Sequence, residues 1–123
     1  MLFLEYPKCS TCQKAKKWLD EQQIQYIDRN ITENNPTYEE LKEWYKRSGL
    51  PLKRFFNTSG LLYKSMELKD KLPNMSEDEQ LKLLSTNGML VKRPLLVTDN
   101  AVIPGFREPL WEDAIKKEID GTN

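Results

Sequence analysis

The chain contains no histidine among its 123 residues. This absence excludes hydrolases that use Ser-His-Asp or Cys-His pairs, and most metal-dependent hydrolases, because those sites need an imidazole. Acid–base chemistry must therefore come from carboxylates, lysine, tyrosine or thiols. The low cysteine count excludes a zinc site as well, since only two cysteines are present and four ligands are usually needed. We predict no metal in this protein.

The chain also lacks an excess of either charge and any long apolar run. Nineteen basic and nineteen acidic residues give a formal net charge of +0 at pH 7, which argues against direct binding of nucleic acid through bulk charge. No stretch is long enough to span a membrane, and the N-terminus shows no signal-peptide pattern. Two cysteines in a non-secreted chain indicate a reducing compartment, so we expect a cytoplasmic protein with no membrane partner and with catalytic or redox-sensing thiols.

Both cysteines lie in one short motif, Lys8-Cys9-Ser10-Thr11-Cys12. An apolar run typical of a buried strand precedes it, and a segment with helical spacing of apolar residues follows it. Cys9 is therefore expected at the start of a helix, where free backbone N–H groups and the helix dipole stabilise the reactive thiolate. Cys12, one turn further along, is placed to attack an adduct on Cys9 and close a short disulfide. The alternative is two buried small hydrophobes, which suits Cys12 better than Cys9.

The periodicity of the remaining chain predicts a single α/β domain over residues 1–123. After the first helix, the pattern predicts a strand at 24–28 and a helix that begins at the capping box Thr37–Glu40. A short helix is expected at 61–68, followed by a helix that begins at the capping box Ser76–Glu79. Two strands, at 95–98 and 101–103 around a two-residue turn, precede a last helix whose first residue is Pro109. The first two strands, joined by a helix, are expected to be parallel.

This order, βαβ followed by ββα, is that of a thioredoxin-like fold with a helical insert at about 36–90. Folds of this kind carry a cis-proline at the entry to the third strand, facing the cysteine motif. Pro94 occupies that position, so we predict a cis Arg93–Pro94 bond, since X–Pro is the only peptide bond for which cis is cheap. A trans proline at the start of a strand is the alternative.

Several motifs together resemble the thioredoxin-fold arsenate reductase (ArsC-type) family, including its Spx-like branch. They extend in order over about residues 2–115. The matching segments are Tyr6–Cys12, Phe56–Gly60, Leu68–Leu72, Leu90–Val97 and Gly105–Glu108.

The resemblance implies that Cys9 is the nucleophile that attacks an oxyanion. It also implies that Arg93 and Arg107 bind this anion, and a planar guanidinium suits a tetrahedral oxyanion. Backbone N–H groups around Ser10 and Thr11 would complete the site. Surface ion pairs are the alternative role for both arginines.

Two departures from the family pattern affect the expected function. Arsenate-reducing members carry a third arginine where this chain has Asn57-Thr58-Ser59-Gly60, so we expect Asn57 or Ser59 to supply a hydrogen bond instead. Those members also lack a cysteine at the position of Cys12 and take the second thiol from glutathione. The C-x-x-C form resembles instead the Spx-like regulators, which dock on RNA polymerase, although those regulators lack the Asn-Thr-Ser-Gly turn.

These observations support two hypotheses from different classes. The first is a thiol-dependent oxidoreductase resembling arsenate reductase, without a bound cofactor, acting on a small oxyanion or thiol substrate. Cys9 attacks the substrate, and Cys12 or an external thiol such as glutathione resolves the adduct on Cys9. Glutaredoxin or thioredoxin is a candidate protein partner. The alternative is an Spx-like redox-sensing transcriptional regulator that binds RNA polymerase through a Cys9/Cys12 switch. A domain with two incidental thiols is a third reading.

Overall fold

The computed structural model describes residues 1–120, and the chain divides into two compact units. Within the described residues, the sheet unit comprises residues 1–30 and 93–120, and the helical unit comprises Ile31–Lys92. The helical unit therefore lies between the two halves of the sheet unit in the sequence. The order of strands and helices is the predicted thioredoxin-like α/β order with helices in the middle.

Within residues 1–120, four strands form one mixed sheet in the order β2-β1-β3-β4. The strands are β1 (Leu2–Glu5), β2 (Ile27–Asn30), β3 (Leu95–Val97) and β4 (Val102–Pro104). β1 pairs in parallel with β2 and antiparallel with β3, while β3 and β4 form an antiparallel hairpin. The predicted βαβ unit and the predicted hairpin are both confirmed.

The core of the sheet unit is built by the sheet and the helices α1 (Ser10–Glu21) and α6 (Glu108–Asp120). α1 buries Cys12, Ala15 and Leu19, the spacing that the sequence indicated. The residues of this core are Phe3, Ala15, Leu19, Leu96, Ile103, Trp111, Ala114 and Ile115. The first helix is therefore held by its apolar stripe, and its N-terminal turn follows directly from β1.

The helical unit contains the helices α2 (Tyr38–Ser48), α3 (Leu61–Ser65), α4 (Leu68–Lys71) and α5 (Glu77–Leu84), with 3-10 segments at Leu52–Phe55, Leu72–Asn74 and Gly88–Leu90. Both predicted capping boxes are formed. At α2, the Thr37 hydroxyl accepts from the backbone N–H of Glu40, and the Glu40 carboxylate accepts from that of Thr37. Among the helices of residues 1–120, none is long and apolar enough to cross a membrane.

The second strand begins three residues later than predicted. Gln23 adopts a left-handed conformation (φ 57°) after α1, and the Ile24 N–H donates to the Leu19 carbonyl. Ile24 therefore still belongs to the turn that closes the helix. Pairing with β1 begins only at Ile27, whose N–H donates to the Met1 carbonyl at 2.9 Å.

Other predicted boundaries are also wrong. The helix expected at 61–68 is divided into α3 and α4, because Glu67 between them is left-handed (φ 55°). The last helix begins at Glu108, so Pro109 is its second residue. The returning strand of the hairpin is displaced by one residue, to Val102–Pro104, because the Ala101 carbonyl accepts the Thr98 N–H in the turn.

Gly88 lies close to the backbone of Ile31 within the helical unit, so a substitution at Gly88 tests how tightly this unit is packed. A Cβ at position 88 would lie 1.8 Å from the Ile31 carbonyl oxygen, whereas one at Gly60 would lie 2.6 Å from Nδ2 of Asn57, the end of a rotatable side chain. We expect Gly88→Ala to lower the free energy of unfolding by about 1–3 kcal/mol or more, and Gly60→Ala by less. Urea unfolding of the two variants measures this difference, and equal losses would contradict it.

Candidate functional site

Cys9 caps the N-terminus of α1. Its backbone is extended (φ −87°, ψ 119°), and its Sγ accepts a hydrogen bond from the Cys12 N–H at 3.3 Å. The preceding turn is closed by the Cys9 N–H, which donates to the Tyr6 carbonyl at 3.0 Å. The half-buried thiol therefore lies at the positive end of the helix dipole, the place that the sequence indicated.

Cys12 is fully buried, and both cysteines are free thiols. Burial, followed by a hydrogen bond with Cys9, raises the pKa of Cys12 from 9.0 to about 12, while the backbone of Tyr6 and the charge of Arg93 oppose the rise. The two thiols are therefore chemically unequal: solvent reaches Cys9, whereas Cys12 is a protonated thiol beside it. Within residues 1–120, no group of three or more Cys, Asp or Glu side chains is arranged to hold a metal ion.

Arg93 is brought to the cysteine turn by the loop that precedes β3. The Arg93–Pro94 peptide bond is cis, and the Pro94 carbonyl accepts the Gly105 N–H at 2.8 Å. The guanidinium carbon of Arg93 lies 5.2 Å from the centroid of the Tyr6 ring. Since the Arg93 charge also acts on the Cys12 thiol, this cation belongs to the surroundings of the cysteine pair.

Three further predicted site residues lie in the sheet unit. Ser10 and Thr11 are the first two residues of α1, and both are exposed. The first N–H groups of a helix have no acceptor within it, so these amides can donate to an anion beside Cys9. Arg107 is exposed and directly precedes α6, and its carbonyl accepts the Trp111 N–H. Its role as an anion ligand stays a prediction.

Asn57 and Ser59 belong to the helical unit, where they form a turn. The Asn57 N–H donates to the Leu90 carbonyl at 2.8 Å, and the Asn57 carbonyl accepts the Gly60 N–H at 3.1 Å. The Ser59 hydroxyl donates to Oδ1 of Asn57 at 3.4 Å. These bonds give the turn a defined conformation. The hydrogen bond that we expect from Asn57 or Ser59 to a bound anion stays a prediction.

A buried carboxyl group that was not predicted from the sequence lies at the end of β1. Glu5 is 5% exposed, and its pKa is raised to about 7, mainly by burial and further by the hydrogen bond and charge of Asp28, while Lys16 opposes the rise. Asp28 itself pairs with Lys16 at 2.9 Å. Ionised carboxylates only accept hydrogen bonds, so a hydrogen bond between Glu5 and Asp28 requires that one of the two carboxyl groups is protonated. The raised pKa of Glu5 assigns the proton to Glu5. The available signal was a glutamate within an apolar strand.

Residues 4–114 match the model of the ArsC family. The chain is 52% identical over 113 residues to the uncharacterized protein YusI of Bacillus subtilis, covering 92% of this chain and 96% of YusI. It is also 30% identical over 106 residues to the regulatory protein MgsR of the same bacterium, covering 86% of this chain and 82% of MgsR.

Two solved structures share this fold. An ArsC family related protein from Bacteroides fragilis is 60% identical, with a TM-score of 0.89 and coverage of 92% of this chain and 95% of that one. A possible arsenate reductase from Streptococcus mutans UA159 is 48% identical, with a TM-score of 0.81 and coverage of 86% and 90%. Both likenesses extend over nearly the whole chain.

The unequal thiols predict selective alkylation. In the native, reduced protein we expect iodoacetamide to modify Cys9 alone, because Cys12 is buried and its raised pKa leaves it protonated. In urea, both should react. Mass spectrometry of peptides over a time course measures this selectivity, with Cys9→Ser as the control that should remain unmodified while folded. Native labelling of Cys12 at a rate comparable to that of Cys9 would contradict the prediction.

The buried Glu5 predicts a pH dependence of stability. Between pH 4.5 and about 7 the folded protein keeps a proton on Glu5 that the unfolded chain releases. The contribution of Glu5 to the free energy of unfolding should therefore fall as pH rises through this window. Glu5→Gln should reduce that slope and should be more stable than the parent above pH 7. Urea unfolding across the window tests this, with the exposed Glu112→Gln as control; unchanged slopes in Glu5→Gln would refute it.

Proposed function

Because the chain belongs to the ArsC family, we propose that it is a thiol-dependent oxidoreductase resembling arsenate reductase, with Cys9 as its nucleophile. One observation carries the proposal: the Cys9 Sγ caps α1 and accepts the Cys12 N–H at 3.3 Å, so a sulfur nucleophile and a second thiol share one helical turn. A helix N-terminus favours both a thiolate and an anionic substrate. We also propose that the protein acts in the cytoplasm, because a reducing compartment keeps both thiols free.

In the first step, the Cys9 thiolate attacks the arsenic of arsenate. An S–As bond forms, and one arsenate oxygen leaves as water after protonation. Guanidinium groups of Arg93 and Arg107 and the N–H groups of Ser10 and Thr11 offset the negative charge of the oxyanion.

In the second step, another thiol attacks the Cys9 Sγ. The S–As bond breaks and its electron pair goes to arsenic, which leaves as arsenite, while the two thiols become a disulfide. Cys12 is the nearest candidate for this thiol, but its raised pKa means that it must lose a proton as it attacks. An external thiol such as glutathione is the other candidate. Glutaredoxin or thioredoxin then reduces the disulfide, and no bound cofactor takes part.

The C-x-x-C pair favours a second candidate function, that of an Spx-like redox-sensing transcriptional regulator. Two free thiols in the first turn of one helix can form a local disulfide on oxidation. That bond would change the first turn of α1 and its exposed residues Ser10 and Thr11. A partner such as RNA polymerase would then bind one redox state better than the other. The similarity to the regulatory protein MgsR supports this candidate.

The enzyme hypothesis predicts distinct outcomes for three substitutions. With arsenate and excess glutathione, Cys9→Ser should abolish arsenite formation, because no other thiol forms the adduct. Arg93→Ala should lower kcat/KM by about 10- to 100-fold, as expected for the loss of a charged hydrogen-bond donor. Arg47→Ala, which removes an arginine paired with Glu43 on α2, is the control and should leave kcat/KM unchanged. Full activity in Cys9→Ser would refute the assignment.

Capture of RNA polymerase separates the two candidate functions. We would immobilise the reduced protein, the oxidised protein and Cys12→Ser, which cannot form the disulfide, and probe each with purified RNA polymerase. The regulator predicts binding that differs between the first two and an oxidant-insensitive Cys12→Ser. Absence of binding in every state, together with arsenate turnover, supports the enzyme alone.

A further inference from the structure

We propose that Tyr6 is a positioning residue that holds the Arg93 guanidinium beside the cysteine pair, so that an anion approaching Cys9 meets a cation already in place. The inference rests on the proposed function, because it assigns to Arg93 the attraction of an anion. Tyr6 itself touches no reacting atom in this account. It acts through Arg93.

Tyr6 lies between strand β1 and the nucleophile in the sequence. It directly follows β1, and its carbonyl accepts the Cys9 N–H at 3.0 Å. The backbone of Tyr6 also opposes the rise in the pKa of the Cys12 thiol. The location of Tyr6 is therefore determined by the same turn that positions both sulfurs.

The side chains of Tyr6 and Arg93 are in contact. The Arg93 guanidinium carbon lies 5.2 Å from the centroid of the Tyr6 ring, within the range of a cation–π interaction. Both side chains are half-buried, where such a contact is stronger than at a fully exposed site. The charge of Arg93 acts on the Cys12 thiol. The guanidinium that contacts Tyr6 is therefore also a positive charge close to the cysteine pair.

The Tyr6 ring restricts the conformational freedom of the Arg93 side chain. The backbone at Arg93 is anchored, because the Pro94 carbonyl accepts the Gly105 N–H and Leu95 begins β3. The arginine side chain nevertheless has several rotatable bonds and many rotamers. An aromatic face beside a planar guanidinium restricts these rotamers through the face of the guanidinium and not through the N–H groups at its edge.

A ratio of two alkylation rates at Cys9 tests the proposal. Iodoacetate is an anion and iodoacetamide is its neutral analogue, so the ratio of their rates reports a cation near the sulfur, while changes in intrinsic thiol reactivity largely cancel. We expect Tyr6→Leu to lower the iodoacetate-to-iodoacetamide ratio by about three- to tenfold. Tyr6→Phe, which keeps the ring, should leave it unchanged, and Arg93→Ala should lower it at least as much as Tyr6→Leu.

The double variant Tyr6→Leu/Arg93→Ala separates positioning from a general structural effect. If Tyr6 acts through Arg93, adding Tyr6→Leu to Arg93→Ala produces no further change in the ratio. A full additional loss in the double variant would overturn the proposal. Tyr6→Met, with a flexible apolar side chain, replaces Tyr6→Leu if thermal unfolding shows that the leucine variant does not fold.

The remaining outcomes distinguish this inference from the proposed function. A normal ratio in Tyr6→Leu, with a lowered ratio in Arg93→Ala, overturns the role of Tyr6 and leaves the anion-binding role of Arg93 intact. A normal ratio in Arg93→Ala overturns the anion-binding role of Arg93 and, with it, this inference. Loss of arsenate turnover in Cys9→Ser is independent of both ratios, so the oxidoreductase proposal is judged separately.

Discussion

The hydrogen bond from the Trp111 indole to the Gly105 carbonyl, 3.0 Å long, ties the last helix to the residue that follows β4. Gly105 in turn donates its N–H to the Pro94 carbonyl. The indole is fully buried and its ring meets Phe3 of β1 edge-on, with centroids 6.1 Å apart. Because Arg93 immediately precedes Pro94, the buried core determines where this cation emerges.

Strand β1 connects the nucleophile with the strand that follows Arg93. It pairs with β2 on one side and with β3 on the other, and it leads directly into the turn that ends at Cys9. The nucleophile therefore approaches from one end of β1 and the arginine from the neighbouring strand. The charged groups follow the same arrangement. Arg93 lies near the cysteine pair. The protonated Glu5 of β1 interacts with Asp28 of β2, which pairs with Lys16 of α1.

Local signals in the sequence were sufficient for much of this structure. The C-x-x-C motif between an apolar run and a helical pattern predicted that Cys9 begins α1. The capping boxes at Thr37–Glu40 and Ser76–Glu79 predicted where α2 and α5 begin, because the bonds that define them join residues only three apart. Such features depend on neighbours in the chain rather than on the fold.

The features that the sequence did not predict depend on residues far apart or on unusual backbone conformations. Left-handed Gln23 and Glu67 shift the start of β2 and divide α3 from α4, and neither is a glycine, the residue that normally marks such positions. The contact between Tyr6 and Arg93 requires the antiparallel pairing of β1 with β3. The Glu5–Asp28 pair likewise requires the register of β1 with β2, which the misplaced start of β2 obscured.

The register of the sheet has a consequence for how the chain accommodates its middle segment. Asn30, where the sheet unit is interrupted, pairs with Glu5, and Leu95, two residues after it resumes, pairs with Leu4. These two positions flank β1 at the same end and are about 10 Å apart, two strand spacings. Because the entropic cost of closing a loop grows only with the logarithm of its length, a change in the length of the segment between them alters that cost little. The length of the middle segment can therefore change while the strand pairing that positions the thiols is kept.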